Sequence, residues 1–339
     1  MAIYKLASHK LAKFEAVGWQ QSLREAIRTP SELLSILELD AAAVDGFEPT
    51  AKEFSFLVPR SFAARMRKGD PQDPLLLQVL PELRERIEVV GFNRDPLRET
   101  RLAQHGVLKK YSGRALIVTT GACPIHCRYC FRRHFPYSDQ IASKDYWGGA
   151  LKTLQETKDV TEVILSGGDP LSLIDRRLAE LVDEIEKLGF VNTLRLHTRF
   201  PIVLPERVGK KLLSILSKTK LSTVLVVHCN HANEIDDSVR TALKDLKSTG
   251  TQLLNQSVLL NGINDDADRL ERLSRVLFDC GVLPYYLHLL DPVAGTAHFE
   301  VEERRAQELV TQLQHRLPGY LVPRLVREEP GELSKTIVT

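Results

Sequence analysis

The sequence predicts an α/β protein whose core is a partial barrel of six strand–helix units. Short β-rich runs recur from residue 115 onward, most of them starting about 30 residues apart, and segments of helical period lie between them. The predicted strands are 115–119, 162–166, 193–198, 223–228, 254–260 and 284–290. Strands that alternate with helices pair in parallel through right-handed crossovers. Six such units form an open, partial version of the eightfold barrel.

The predicted helices support a division of the chain into an N-terminal layer, a core and a tail. Those between the strands are 175–188, 206–217, 238–248 and 266–278, and three of them end at Gly189, Gly250 and Gly281. Residues 1–110 read differently: they are helical at 20–27 and 30–39 and rich in proline from 59 to 96, and no motif in them indicates a chemistry. We therefore predict a helical N-terminal layer (1–110), a (β/α)6 core (111–320) and a C-terminal tail (321–339).

Composition excludes several classes of protein. The chain has 339 residues, of which 43% are hydrophobic and 27% charged, and 46 Lys and Arg oppose 44 Asp and Glu to give a net charge of +2. This balance does not indicate a nucleic acid or a membrane as partner. No stretch approaches the roughly 18 apolar residues of a membrane span, and no secretory leader is evident. The cytoplasm is the expected location.

Three cysteines carry the most specific signal. Cys123, Cys127 and Cys130 form a Cys-x-x-x-Cys-x-x-Cys motif, whose spacing suits three irons of a [4Fe–4S] cluster. The fourth iron is then open to the amino and carboxylate groups of S-adenosylmethionine (SAM). One electron passed from the reduced cluster to the SAM sulfonium would produce a carbon radical.

Other uses of these cysteines remain open. Zinc would need a fourth ligand, and His126 or His134 lies close enough in sequence to supply it. A disulfide with a spare thiol is disfavoured by the absence of a leader and by the odd number of cysteines. Cys229 and Cys280 fall outside the motif and are expected to be small buried hydrophobic residues.

Polar residues follow the predicted strands, where the functional residues of such a barrel should meet. The loop 166–169 (Ser-Gly-Gly-Asp) follows the second strand, and its glycines would allow the backbone to approach the amino group of SAM. His197, His228 and Asp291 end later strands. Arg132 and Arg133 follow the third cysteine, where an arginine can bind a carboxylate through two hydrogen bonds. A solvated basic pair is the alternative, and a functional role is favoured for at least one of them.

The chain resembles the lysine 2,3-aminomutases of the radical SAM superfamily, most closely the short branch that serves bacterial elongation factor P. The resemblance extends over nearly the whole length. It rests on the segments 70–74, 111–114, 123–133, 166–170, 228–231 and 255–260, on Asp291 with His298 and Phe299, and on the tail 330–335. The cysteine motif alone would indicate only the superfamily.

The resemblance implies a role for each matching residue. Lys335 corresponds to the lysine that binds pyridoxal phosphate (PLP) covalently, and Arg132 to the arginine that binds the substrate carboxylate. Asp291 and Glu328 fall at the acidic positions that bind the distant ammonium of lysine, although the larger enzymes have aspartate where this chain has Glu328. The implied PLP phosphate contacts are Arg114, Asn255, Gln256 and Ser257. The other implied cofactor contacts are Ser166, Gly167, Gly168, Asp169, His228 and Asn230.

The implied activity is the conversion of L-α-lysine to β-lysine, with an external electron donor and with β-lysine supplied to a ligase that modifies elongation factor P. One alternative is an aminomutase for arginine or glutamate, and the pairing of Asp291 with Glu328 disfavours glutamate because two acids suit a cation. Another is an iron–sulfur redox sensor without turnover. By itself, a lysine in a tail such as Lys335 is usually only solvated.

Overall fold

The sheet at the centre of the molecule has nine strands whose order follows the chain. The computed structural model describes residues 18–50, 54–102, 105–137, 142, 147–157 and 159–339. The strands are β1 (Val107–Leu108), β2 (Arg114–Thr120), β3 (Glu162–Gly167), β4 (Thr193–Thr198), β5 (Ser222–His228), β6 (Gln252–Val258), β7 (Val282–His288), β8 (Arg324–Arg327) and β9 (Thr336–Ile337). Strands β2 to β8 are parallel, and β1 and β9 are antiparallel edges.

The predicted partial barrel is confirmed. All six predicted strands are present as β2 to β7, and no pairing joins β1 to β9 in the described part of the chain, so the barrel is open. Sequence analysis missed β8, a seventh parallel strand, together with both edge strands. These three strands have two to four residues, which is too short for a hydrophobic period to be read.

Helices lie between the strands of the sheet and in the segment that precedes β1. They are α1 (Trp19–Arg24), α2 (Pro30–Ile36), α3 (Arg60–Ala63), α4 (Glu99–Leu102), α5 (Gly148–Thr157), α6 (Asp175–Lys187), α7 (Phe200–Val203), α8 (Lys210–Lys218), α9 (Asp237–Ser248), α10 (Ala267–Asp279) and α11 (Glu303–Arg316). The prediction for 206–217 was too long at its start, because a 3₁₀ turn (Pro205–Arg207) precedes α8 and Gly209 separates the two. Gly189, Gly250 and Gly281 have positive φ where helices end.

Helix α6 shows how the sequence pattern produces this packing. Its buried residues are Leu178, Leu181, Val182 and Ile185, which recur three and four positions apart and so form one face. Strand β4 supplies the matching surface, since Leu194 and Leu196 are fully buried while Arg195 and His197 alternate with them toward the barrel interior. The interior face is therefore free to carry the polar groups of a site.

The N-terminal layer packs into the same core as the barrel. Ile27, Leu33 and Phe62 are fully buried and belong to one hydrophobic cluster with Phe200 and Leu212 of the barrel. Burying a side chain of this size contributes about 2 kcal/mol, so the layer is held firmly against the sheet. The boundaries proposed at residues 110 and 320 stay predictions. Cys229 and Cys280 are buried in this core as expected.

Within the described residues, no helix combines the length and the apolar character that crossing a membrane requires.

Candidate functional site

The three motif cysteines lie in one loop that follows β2. All three are free thiols, and burial raises the pKa of Cys123 well above its usual range and that of Cys130 to about 11, with the neighbouring thiols adding to both effects. Thiolates at these positions would therefore need a bound cation to stabilise them. No group of three or more His, Cys, Asp or Glu among the described residues is arranged around a single metal ion. A cluster places each thiolate on a different iron, so its ligands lie further apart.

The histidines considered as zinc ligands have other contacts. His126 Nδ1 lies 2.9 Å from the carbonyl oxygen of Ser55 in the N-terminal layer. His134 Nε2 lies 3.1 Å from the carbonyl oxygen of Ala294. Both side chains hold the cysteine loop to its surroundings, and neither completes a zinc site with the three thiols.

A buried glutamate of the N-terminal layer fixes the same loop. Arg128 Nε donates to Glu85 Oε1 at 2.8 Å and its Nη2 to Oε2, while Arg133 Nη2 donates to Oε2 at 2.7 Å. Burial alone would raise the pKa of Glu85, but the two guanidinium groups outweigh burial and lower it. Arg133 is therefore part of a buried ion-pair set, and its interpretation as a solvated residue is wrong.

The two glycines after β3 are required by the packing of this loop. Gly167 has a φ of +122°, and a Cβ there would lie 2.5 Å from the Thr120 carbonyl oxygen. A Cβ on Gly168 would lie 2.4 Å from the carbonyl oxygen of Ala122. The glycines thus allow the β3 loop to lie directly against the start of the cysteine loop, and their predicted contact with SAM stays a prediction.

Asp169 has its carboxylate fully engaged. It accepts from Thr198 Oγ1 at 2.8 and 2.9 Å, from the backbone N–H of Arg199 at 2.7 Å and from that of Leu171 at 3.0 Å. Burial raises its pKa to about 6. The structure therefore uses Asp169 to join the ends of β3 and β4.

The predicted cofactor contacts at the end of β5 bond to the cysteine loop. His228 Nε2 lies 2.9 Å from the hydroxyl of Tyr129, the residue before Cys130, and the two rings stack. Asn230 Nδ2 donates to the same hydroxyl at 2.7 Å. Both side chains thus lie beside the cysteine loop, and their predicted contact with a cofactor stays a prediction.

The segment 255–257 is divided between the two faces of β6. Asn255 Oδ1 accepts from the Cys229 backbone N–H at 3.0 Å, and Ser257 Oγ donates to the Cys229 carbonyl at 2.8 Å. These two share a face with the fully buried Leu253, whereas Gln256 alternates to the interior. The structure therefore places Gln256 alone of the three toward the barrel interior. Arg114 begins β2, at the opposite end of that strand from the cysteines.

The tail lysine and Arg132 are the two ends of a chain of ion pairs. Lys335 Nζ donates to Glu328 Oε2 at 2.5 Å, and Lys110 Nζ lies 2.5 Å from Glu328 Oε1 and 2.8 Å from Glu99 Oε1. Arg132 donates to Glu99 from Nε at 2.6 Å and from Nη2 at 2.9 Å. Three of the predicted catalytic residues are thus brought together by two that were not predicted.

The charges in this chain stabilise one another. Burial would raise the pKa values of Glu99 and Glu328, but their cationic partners outweigh it and hold both pKa values below the usual range. Burial would lower the pKa of Lys110, but its two glutamates raise it. Glu99, Glu328, Lys110 and Arg132 are consequently charged at neutral pH.

Arg132 has few donors left for a ligand. Of its five N–H groups, Glu99 takes two, while Nη1 donates to Ser166 Oγ at 3.1 Å and to the Gly167 carbonyl at 3.4 Å. One N–H of Nη2 has no partner among the described residues. A carboxylate held by two hydrogen bonds therefore requires Nη1 to release Ser166 or Gly167.

Asp291 lies near the chain of ion pairs that joins Arg132 to Lys335. Burial and the negative charge of Glu328 raise its pKa to about 7, although Lys335 and Lys110 oppose the rise. This carboxyl is thus close to the ion-pair chain and is half ionised near neutrality.

Unpartnered buried atoms lie near Lys335. His197 Nε2 and His288 Nε2 are buried with no hydrogen-bond partner in the described structure, and burial lowers the pKa of both rings. The charge of Lys335 contributes to both shifts, and Lys335 Nζ lies 6.0 Å from the centre of the Tyr286 ring. Buried polar atoms normally have partners, so these side chains fit a polar cofactor beside Lys335.

Sequence analysis missed several residues of this site. They are Gln78, Glu85, Glu99, Lys110, Arg199 and Glu234. Each has a partner that is distant in sequence, for example 33 positions between Glu99 and Arg132 and 218 between Lys110 and Glu328. No local motif could have indicated them.

Comparison with known proteins agrees with this site. The Radical SAM superfamily profile matches residues 117–274, which include the cysteine loop. The chain is 45% identical to an L-lysine 2,3-aminomutase of Escherichia coli (strain K12), covering 94% of this chain and 93% of that protein. It is 44% identical to one of Haemophilus influenzae (95% and 96%) and 31% identical to one of Clostridium subterminale (94% and 77%).

The superfamily match implies SAM and a [4Fe–4S] cluster as cofactors. The extent and the level of identity identify the family within it, and the three cysteines lie in the matched segment. We conclude that this chain belongs to the L-lysine 2,3-aminomutases of the radical SAM superfamily.

Proposed function

We propose that the protein converts L-α-lysine to β-lysine by exchanging the amino group of one carbon with a hydrogen of the next. One observation carries the proposal: a single barrel mouth holds the cysteine loop, Arg132, Asp291, Glu328 and Lys335. A substrate with a carboxylate at one end and an ammonium at the other matches one cation and two acids. The cytoplasm stays the predicted location.

Three cofactors fit the residues of the site. Cys123, Cys127 and Cys130 would bind three irons of the cluster, and Lys335 would bind PLP covalently, beside the unpartnered nitrogens of His197 and His288. When bound, SAM and the reduced cluster supply the radical that removes a hydrogen from the β carbon, and PLP supplies an electron-delocalising ring. An external one-electron donor is required.

The chain's own residues bind and orient the substrate. Arg132 binds its carboxylate through the free Nη2 hydrogen and through Nη1 once that group releases Ser166. Asp291 and Glu328 bind the distal ammonium, with Lys110 balancing the charge of Glu328. The buried mouth excludes water and other hydrogen donors from the reacting carbons.

The activity is tested by anaerobic incubation of reconstituted protein with lysine, SAM, PLP and dithionite, followed by chiral separation of the amino acids. We expect β-lysine, and no product from arginine or glutamate. Conversion of either of these in preference to lysine would replace the substrate assignment. A loaded cluster without turnover of any of the three would favour the redox sensor.

The PLP site is tested by borohydride trapping and peptide mapping. We expect the pyridoxyl label on Lys335. Lys110 is the matched comparison, because it contacts the same carboxylate of Glu328, and a label on Lys110 would contradict the assignment. The variant Lys335→Ala should show no specific label.

We also propose that the β-lysine is passed to a ligase that attaches it to elongation factor P. The chain covers 93% of the Escherichia coli relative but 77% of the longer Clostridium subterminale relative, which fits the short branch that the sequence resembles. Elongation factor P from source cells without this protein should lack the mass of one attached lysyl residue. An unchanged mass would contradict the link and leave the aminomutase activity standing.

A further inference from the structure

Arg199 follows β4, and its guanidinium contacts a cysteine of the motif. Its Nη1 lies 2.6 Å from Cys127 Sγ. The backbone N–H of Arg199 donates to Asp169, so the start of the side chain is fixed at the carboxyl end of the strand. The residue is 6% exposed and cannot turn to solvent without disrupting this packing.

Two further side chains fix the orientation of the guanidinium. Arg199 Nη2 donates to Gln78 Oε1 at 2.7 Å and to Glu234 Oε2 at 3.0 Å. Glu234 is fully buried, and its other oxygen accepts from the backbone N–H groups of Asn230 and His231. The cation is therefore held against the sulfur by a buried network.

This arrangement differs from that of the other arginines near the cysteines. Arg128 and Arg133 share Glu85, and Arg132 is held by Glu99. In those cases the charged partner is a carboxylate, and the contact fixes the loop or the substrate site. Arg199 shares its charge between one carboxylate and a predicted ligand of the cluster.

A cation at a cluster ligand has a direct electrostatic consequence. Reduction adds one electron from an external one-electron donor to the cluster and moves no proton to or from Arg199. The added negative charge is stabilised by a nearby positive charge, and hydrogen bonds to the sulfurs raise the reduction potential of such clusters. We propose that Arg199 is a positioning residue that raises the reduction potential of the [4Fe–4S] cluster through Cys127. This rests on the family and not on the proposed substrate.

Substitution of Glu234 is expected to shift the reduction potential in the direction opposite to substitution of Arg199. Its carboxylate partly neutralises Arg199, so the Glu234→Gln variant leaves more positive charge at the sulfur and raises the potential. The Arg199→Met variant removes the cation and lowers it. A merely structural role would not shift the potential in opposite directions, although both variants would lose stability.

The experiment is a reductive titration of the anaerobically reconstituted full-length protein, followed by electron paramagnetic resonance of the reduced cluster. The variants are Arg199→Met, Arg199→Lys, Glu234→Gln and Arg207→Met. Arg207 is the matched control because it is also buried and ion-paired, at 2.7 Å to Asp175. We expect a lower midpoint for Arg199→Met, partial recovery in Arg199→Lys, a higher midpoint for Glu234→Gln and no shift for Arg207→Met.

Several results would overturn the proposal. Equal midpoints in all proteins, or shifts of the same sign in Arg199→Met and Glu234→Gln, exclude a tuning role. Weaker SAM binding in Arg199→Met with an unchanged midpoint would make Arg199 an anion site instead. If Arg199→Met binds no iron, the Glu234→Gln variant tests the proposal by itself, and an unchanged or lower midpoint potential in that variant contradicts it. Wild-type protein without a reducible cluster would contradict the family assignment and not this inference alone.

Discussion

Two sets of buried ion pairs hold the arginines that surround the third cysteine, and they are built differently. In the first, which we call the closed set, Arg128 and Arg133 share Glu85. In the second, the open chain, Arg132 pairs with Glu99, and the contacts continue through Lys110 and Glu328 to Lys335. Adjacent arginines of the same sequence motif thus belong to different networks.

The difference distinguishes the charges that fix the cysteine loop from the charges that line the substrate and PLP site. The closed set ends within the loop and the N-terminal layer, so its charges fix the shape of the cysteine loop. The open chain ends at groups that a substrate and PLP would contact. A perturbation of the closed set should therefore affect folding, and a perturbation of the open chain should affect binding and turnover.

The largest effect is expected from Glu85→Gln, which breaks the closed set. Removing one partner of a buried ion pair costs about 3 to 5 kcal/mol, and here two guanidinium groups lose their carboxylate. The free energy of unfolding, measured by urea denaturation, should fall by this amount, and bound iron should fall with it. Asp159→Asn, which breaks a surface pair with Lys109, should leave stability unchanged. Equal stability of the two variants would contradict the closed set.

Arg132→Ala should affect turnover more than folding, because Glu99 keeps its ion pair with Lys110 at 2.8 Å. Truncating a buried, hydrogen-bonded charge costs about 4 kcal/mol of binding, so kcat/KM for lysine should fall by about 10³-fold while cluster absorbance is retained. Arg133→Ala is the neighbouring control, and it should lose stability and iron instead. Retained activity in Arg132→Ala would exclude the carboxylate contact.

The pH dependence of lysine binding tests the acidic end of the open chain. The pKa of Asp291 is raised to about 7, so this carboxyl is neutral below pH 7 and binds an ammonium only when it ionises above that pH. The affinity for lysine, measured by calorimetry, should increase about tenfold from pH 6 to pH 8. Norleucine, which lacks the distal ammonium, should show no increase, and Asp291→Asn should abolish it. A decrease with pH would contradict the assignment.

The smallest expected effect is a shift in the midpoint pH of lysine binding, the pH at which the affinity for lysine has risen halfway. Lys110→Met removes a cation that lowers the pKa of Asp291, and Glu328→Gln removes an anion that raises it. The midpoint of lysine binding should therefore move up by about one pH unit in the first variant and down by about one unit in the second. Lys109→Met is the control, because Lys109 pairs with Asp159 at the surface. Identical midpoints would show that the open chain does not reach Asp291.

Local patterns in the sequence determined the repeating part of the fold. The six strands and the helices between them follow from periods of two and 3.6 residues, which report which face of each element is buried. The cysteine motif is also local, because its three thiols must lie in one short loop. The strands β1, β8 and β9 lacked such a signal, since pairing to a neighbouring strand and not their own pattern defines them.

The tertiary structure alone decided how the charged residues pair. In the sequence, Arg132 and Arg133 form one basic pair, yet in the fold they bond to different glutamates. The segment 255–257 is likewise one polar run in the sequence, and the fold divides its side chains between two faces of β6. It also brings Glu85 and Glu99 from the N-terminal layer to the barrel mouth. Burial makes an unpaired charge costly, so partners come from whichever elements meet there, and that meeting is a property of the packed chain.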